Sequence, residues 1–181
     1  MYDAGVSETE IQLKIEFPPS DFGKWHVLHT KSRQEKVVAA DLAAMGIAYY
    51  LPLVRAVRYY GKRKAKVSMP LFPGYVFLRG TLEQVYAADR TKRVANIIAV
   101  NAQDQLDWEL RNLHLALSKD AELTPFPFLK KGVRVEVRSG PFRGLQGVIE
   151  GRAADNRLIL QVDMLGRAVS LEIDGALLDP I

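Results

Sequence analysis

Cysteine is absent from all 181 residues, which excludes a disulfide framework and any thiolate metal site. Histidine occurs only at His26, His29 and His114, with no HExxH spacing to assemble a zinc centre. No glycine-rich phosphate loop follows a strand, and no GxSxG elbow is present. Asp and Glu are scattered without an evident catalytic pair. These absences predict a protein that is not an enzyme and uses no cofactor or metal. No run approaches the roughly 18 consecutive apolar residues of a membrane-spanning helix. The first sixteen residues are acidic and lack the basic start and apolar core of a signal peptide. With no membrane segment and no Cys, the expected location is the cytoplasm.

What is present is ordinary in amount, 48% hydrophobic and 25% charged, but uneven in distribution. Residues 1–23 hold five acids and one Lys, and read as a largely disordered acidic extension. Residues 24–129 hold sixteen Lys and Arg against nine acids, and the rest of the chain eight against seven. The positive charge therefore belongs to the middle of the chain. It fits either a solvated basic surface or a polyanion partner there.

Order is expected from Lys24. Trp25 to His29 reads as a strand, then Val38, Leu42 and Met45 mark a helix that Gly46 ends. Ile47 to Val54 is β-prone and broken by Pro52, as an edge strand would be. Residues 55–66 carry Arg55, Arg58, Lys62, Arg63, Lys64 and Lys66 with no acid, and Gly61 suggests the tip of a hairpin. Thr81 to Gln84 has capping-box spacing. Val94 to Val100 reads as a strand, and Asn101 is expected to cap a helix with the stripe Leu106, Leu110, Leu113 and Leu117.

The run Pro70-Leu71-Phe72-Pro73-Gly74-Tyr75-Val76-Phe77-Leu78 stands out. Two prolines and a glycine set a tight turn, and an aromatic strand follows. Tyr75 and Phe77 are two apart and share one face of the sheet. Such a face is either core or a docking surface.

Thr124 to Phe128 breaks the helical pattern, and after Lys131 the texture is purely β. Val133, Val135 and Val137 alternate, as do Leu158, Leu160 and Val162, then Val169, Leu171 and Ile173. Gly140, Pro141 and Phe142 set a turn, while Gly144 and Gly147 suit sharp bends. Phe142 would plug the small core or project as a contact. The fold class is α+β: a mixed α/β sandwich with a mainly antiparallel sheet, then a small SH3-like β-barrel. The boundaries read are 24–118 for the first domain, 119–130 for a linker and 131–181 for the barrel.

The chain resembles the NusG family of transcription elongation factors. The resemblance rests on Trp25-His26-Val27-Leu28, on Glu35-Lys36 and above all on the Pro70 to Phe77 run. The second domain is similar to the KOW module, through Gly132 to Val135 and Ser139 to Ile149, with Gly140, Pro141, Phe142, Gly144 and Gly147 as its motif. The resemblance implies a monomer whose first domain binds the clamp helices of the RNA polymerase largest subunit. Tyr75 and Phe77 would form that patch with Leu71, Phe72 and His29. Lys31, Arg33, Lys62, Arg63 and Lys64 would meet DNA or RNA backbone, and Tyr59 and Tyr60 would stack on an unpaired base.

The KOW domain would recruit Rho, a small-subunit ribosomal protein or neither. The basic hairpin tip and the acidic extension look closer to the specialised antitermination branch, typified by RfaH, than to general NusG. A helical alternative for the second domain is disfavoured by Gly132, Gly140, Gly144, Gly147 and Gly151 at about 1 kcal/mol each, and by Pro141 at about 3. A permanent barrel is predicted. A KOW-bearing RNA-binding or ribosome-associated protein is the alternative of another class.

Overall fold

A computed structural model describes residues 16–150 and 156–181. The disorder expected of the first fifteen residues lies outside that range. The N-terminal part is a four-stranded antiparallel sheet of β1 (Lys24–Thr30), β2 (Ala48–Tyr50), β5 (Tyr75–Gly80) and β6 (Val94–Ala99), in the order β2-β5-β1-β6. Pro52 separates β2 from β3 (Leu53–Tyr60), which pairs only with β4 (Arg63–Pro70) in a two-stranded ribbon. Three helices complete this part: α1 (Glu35–Ala44), α2 (Leu82–Asp89) and α3 (Gln103–Ser118).

Alternation along the strands divides the sheet into two faces. Leu28, Val76 and Leu78 bury against Val38 and Leu42 of α1 and Val85 of α2. Trp25, Val27 and Phe77 bury against Leu106, Leu110 and Leu113 of α3. The result is three layers, helix pair on sheet on helix. Thr81 forms the expected capping box with Gln84 at the start of α2.

Asn101 does not cap α3, whose N-cap is Ala102 without a side-chain bond. Gln103 instead ties the helix start to β1, accepting from the Trp25 N–H at 2.7 Å and donating to the Trp25 carbonyl at 2.8 Å. One turn on, Asp107 accepts from Trp25 Nε1 at 3.0 Å, Arg79 Nη1 at 2.7 Å and Arg111 Nε at 2.6 Å. Burial works to raise the Asp107 carboxyl, but the bonds from Arg111, Trp25 and Arg79 outweigh it and hold its pKa below the usual value.

Phe17 and Pro18 belong to this packing, which their place in the acidic extension did not suggest. The Phe17 ring lies edge-on to Trp25 and Tyr50 at 5.7 and 5.3 Å, and Arg111 covers it at 4.7 Å. An aromatic ring beside an acidic stretch gives no periodicity, so the sequence offered little to find it by.

The C-terminal part is a six-stranded antiparallel sheet. Its strands are β7 (Thr124–Phe126), β8 (Val133–Val137), β9 (Gln146–Ile149), β10 (Arg157–Val162), β11 (Arg167–Glu172) and β12 (Leu178–Pro180). Their order is β12-β8-β9-β10-β11-β7. Part of the segment read as a linker thus supplies a strand, paired with β11. Val135, Val137, Leu145, Leu158, Leu160, Val162, Val169 and Leu171 meet in one core, so the sheet curls around them. Val133 is the exception to the alternating pattern, 42% exposed. Gly147 marks a close approach: a Cβ there would lie 2.6 Å from the Ile159 carbonyl oxygen.

The two parts are joined along α3 by polar bonds. Trp108 Nε1 donates to Gln146 Oε1 at 2.7 Å, and Asn112 Oδ1 accepts from the Gln146 N–H at 2.7 Å. Arg134 donates to Gln105 at 2.6 Å and lies 4.3 Å over the Trp108 ring.

Candidate macromolecular interface

The Pro70 to Phe77 run folds around a turn in which the Tyr75 N–H donates to the Phe72 carbonyl at 3.3 Å. Pro73 and Gly74 occupy its centre, and Gly74 has φ +89°, the left-handed value a type II turn needs at that position. Glu35, buried at the start of α1, accepts from the Gly74 N–H at 2.7 Å. The Gly74 carbonyl accepts from the Thr30 N–H at 2.8 Å. The turn is therefore fixed to both α1 and the end of β1, so its side chains are presented on a rigid base.

The three aromatic residues of the run have different fates. Phe77 pairs with Val27 of β1 and Tyr50 of β2 and is fully buried. Phe72 is also buried, at 4% exposure. Both belong to the core under α3, so neither offers a free ring for docking. Tyr75 pairs with His29, and their rings stack at 5.1 Å and 22°. His29 is exposed, Tyr75 half-buried and Leu71 half-buried beside them. The shared face of Tyr75 and Phe77 is thus core at one end and open patch at the other. The C-terminal sheet engages α3 through Gln105, Trp108 and Asn112 and leaves His29 exposed.

The charged candidates flank this patch. Lys31 and Arg33 are exposed on the loop that leaves β1 directly after His29 and Thr30. The β3–β4 ribbon leaves the opposite side of the turn, with the Leu71 N–H bonded to the Pro52 carbonyl at its base at 2.8 Å. Its outer half, including Lys62, Arg63 and Lys64, is exposed, with Tyr59 and Tyr60 at 70% and 61%. Aromatic patch, loop cations and ribbon therefore belong to one connected region, which the sequence presented as separate segments.

In the C-terminal part, Gly140 and Gly144 adopt positive φ, Pro141 is exposed and Phe142 is half-buried against the core. Among the described residues no group of three His, Asp or Glu is placed to hold a metal ion. Among them, too, no helix is long and apolar enough to cross a membrane.

Residues 23–108 match the NusG family model, described as transcription termination factor nusG. The match spans all six strands and the first two helices of the N-terminal part and ends within α3. It includes the whole Pro70 to Phe77 run, the ribbon and the loop cations. Two crystal structures of an MjSpt4:Spt5 complex, conformations A and B, are also similar. Conformation A is 19% identical over 87% of this chain and 97% of that one, with a TM-score of 0.29. Conformation B is 16% identical over 87% and 96%, with a TM-score of 0.28.

Proposed function

We propose that this protein is a NusG-type transcription elongation and antitermination factor. Its N-terminal part binds the clamp helices of the RNA polymerase largest subunit through His29 and Tyr75, with Leu71 at the margin. From there the basic ribbon and loop reach DNA or RNA and oppose pausing or termination. The C-terminal sheet, a KOW module on this reading, recruits a further partner such as Rho or a small-subunit ribosomal protein. The observation that carries the reading is the NusG match over residues 23–108. A solvent-accessible, rigidly held aromatic pair within that span supports it, because aromatic rings give large contact area at low entropic cost.

Reconstituted transcription with purified polymerase, with and without Rho, tests the proposal. Read-through enhanced by the wild-type protein and lost in Tyr75→Ala is the expected result. Rho-dependent enhancement of termination would instead assign the general NusG role. Polymerase retention that survives nuclease separates both from a KOW-bearing RNA-binding protein, for which retention on ribosomes alone is the signature.

A further inference from the structure

Among the described residues β3 and β4 pair only with each other, and a two-stranded ribbon alone is marginal in water. Its two faces differ. Register and alternation put Arg55, Lys64 and Lys66 on one exposed face. Val54, Ala56, Val67 and Met69 are half-buried on the other, and none of them joins a hydrophobic core among the described residues. The outer edge of β3 continues that of β2, the last strand of the four-stranded sheet, with only Leu51 and Pro52 between them.

We propose that residues 8–15 of this chain seat on that edge as a third strand antiparallel to β3. Ile11, Leu13 and Ile15 extend the apolar face, and Glu8 and Glu10 extend the cationic one. Seated there, the segment competes with any other polyanion for the ribbon. That consequence rests on the proposed function, whereas the docking itself does not.

The path of the chain leads to this edge. The Pro18 carbonyl accepts from Arg79 Nη1 at 3.4 Å, and the Phe17 ring lies 5.3 Å from that of Tyr50. In the sheet Arg79 pairs with Ala48 and Phe77 with Tyr50. Read back from Pro18 to Phe17, the chain therefore advances along β2 toward Pro52 and β3. The fifteen residues before Glu16 reach about 50 Å when extended, against about 26 Å for the eight residues of β3.

Pattern and charge fit the same placement. Ile11, Leu13 and Ile15 alternate with Gln12 and Lys14, so a strand there has one apolar face. Setting that face beside Val54 and Ala56 puts Glu8 and Glu10, by parity, on the side of Arg55 and Lys66. Residues 1–16 hold four acids and one Lys, while six cations and no acid stand between Leu53 and Pro70. The tether favours the chain's own segment over a second copy's, since a short connection gives an effective concentration on the order of millimolar.

The test uses the full chain, whose lack of Cys lets Thr9→Cys carry a single nitroxide. The label should broaden the amide signals of β3 more than those of α1 or the C-terminal sheet. A mixture of nitroxide-labelled chain with isotope-labelled chain should show no such broadening. Amide exchange supplies a second readout. The two-residue tip at Gly61 and Lys62 makes Tyr60 and Arg63 a hydrogen-bonded pair, which turns the N–H groups of Arg55, Val57 and Tyr59 outward. At about 50 mM salt these amides should exchange about tenfold more slowly than in the chain carrying Glu8→Lys and Glu10→Lys. Leu13→Asp should remove the same protection, and adding Arg55→Glu with Lys66→Glu to the charge-reversed chain should restore it. Broadening spread evenly over the molecule, or exchange unmoved by the charge reversal, would overturn the proposal. Equal broadening in the mixture would give the edge to a second copy and overturn it as well. No readout involves polymerase or nucleic acid, so failure here and failure of the proposed function remain distinguishable.

Discussion

Glu109 accepts a hydrogen bond from the Asp163 N–H at 3.1 Å, joining α3 to the turn after β10. The carboxyl is 3% exposed, and burial pushes its pKa up to about 7 despite a second bond from Gln105 at 2.9 Å. The nearby Asp163 carboxylate, held by Gln161 at 3.0 Å, adds repulsion in the same direction.

That raised value sets a pH dependence with a definite sign. The folded chain binds this proton more tightly than the unfolded chain, whose carboxyl titrates near 4.5. The contribution is complete below about 4.5 and is lost as pH rises through about 7. Glu109→Gln keeps the acceptor oxygen and removes the charge. It should match the wild type near about pH 4 and be more stable by about 3 kcal/mol near about pH 8. Asp107 contributes with the opposite sign, its share lost as pH falls, so the difference between variant and wild type is the quantity to follow in thermal melts. A flat difference across that range would remove Glu109 from the account.

The same seam makes a prediction about Asn112. Its side chain accepts from the Gln146 N–H and donates to the Trp108 carbonyl at 2.9 Å, while Trp108 binds the Gln146 side chain. Asn112→Ala strands the Gln146 N–H at a partly buried site, at a cost of about 1–3 kcal/mol. Urea denaturation should show that loss, and a double-mutant cycle with Trp108→Phe should show coupling of about 0.5 kcal/mol or more. Additive effects would mean the two residues act independently.

Much of this was legible in the sequence, and the misses have physical causes. The capping box at Thr81, the ribbon tip at Gly61 and the α3 stripe follow local rules that tertiary packing left intact. Phe77 could not be separated from Tyr75, because alternation assigns a face and not what covers it. Only the length and placement of α3 decide that one end of the face is core. Asn101 has good capping chemistry, but Gln103 gains bonds to β1 that no local pattern reveals. Gln105, Trp108, Glu109 and Asn112 form a polar stripe that reads as a solvated helix face, and their role at the seam depends on contacts 29 to 54 residues away in sequence.

Gly147 should be intolerant of any side chain. The nearest atom to a Cβ is a backbone oxygen of β10 at 2.6 Å, which cannot turn aside as a flexible side chain would. The Leu158 and Leu160 side chains close the space further, at 2.9 and 3.0 Å. Gly147→Ala is expected to cost about 1–3 kcal/mol through forced separation of β9 from β10. Gly144→Ala meets no neighbour but must hold φ +86°, so its penalty comes from the backbone alone. Equilibrium unfolding of both variants tests the distinction: strain at Gly147 should also perturb the amide signals of β10, whereas Gly144→Ala should leave them in place.

The open and closed ends of the aromatic face should separate folding from binding. Phe77 is wholly enclosed by Val27, Tyr50 and the α3 leucines, so Phe77→Ala should cost about 3–5 kcal/mol of stability. Tyr75 and His29 stack at the surface, and truncating either should cost about 1 kcal/mol or less. Binding should follow the reverse order. Tyr75→Ala removes the largest accessible ring of the patch and should weaken retention on purified polymerase by about tenfold or more, with His29→Ala losing less. Thermal melts must show both surface variants folded before retention is compared. If a folded Tyr75→Ala protein is retained as well as the wild type, the patch is not the docking face, and the stacked pair serves only to close the end of the sheet.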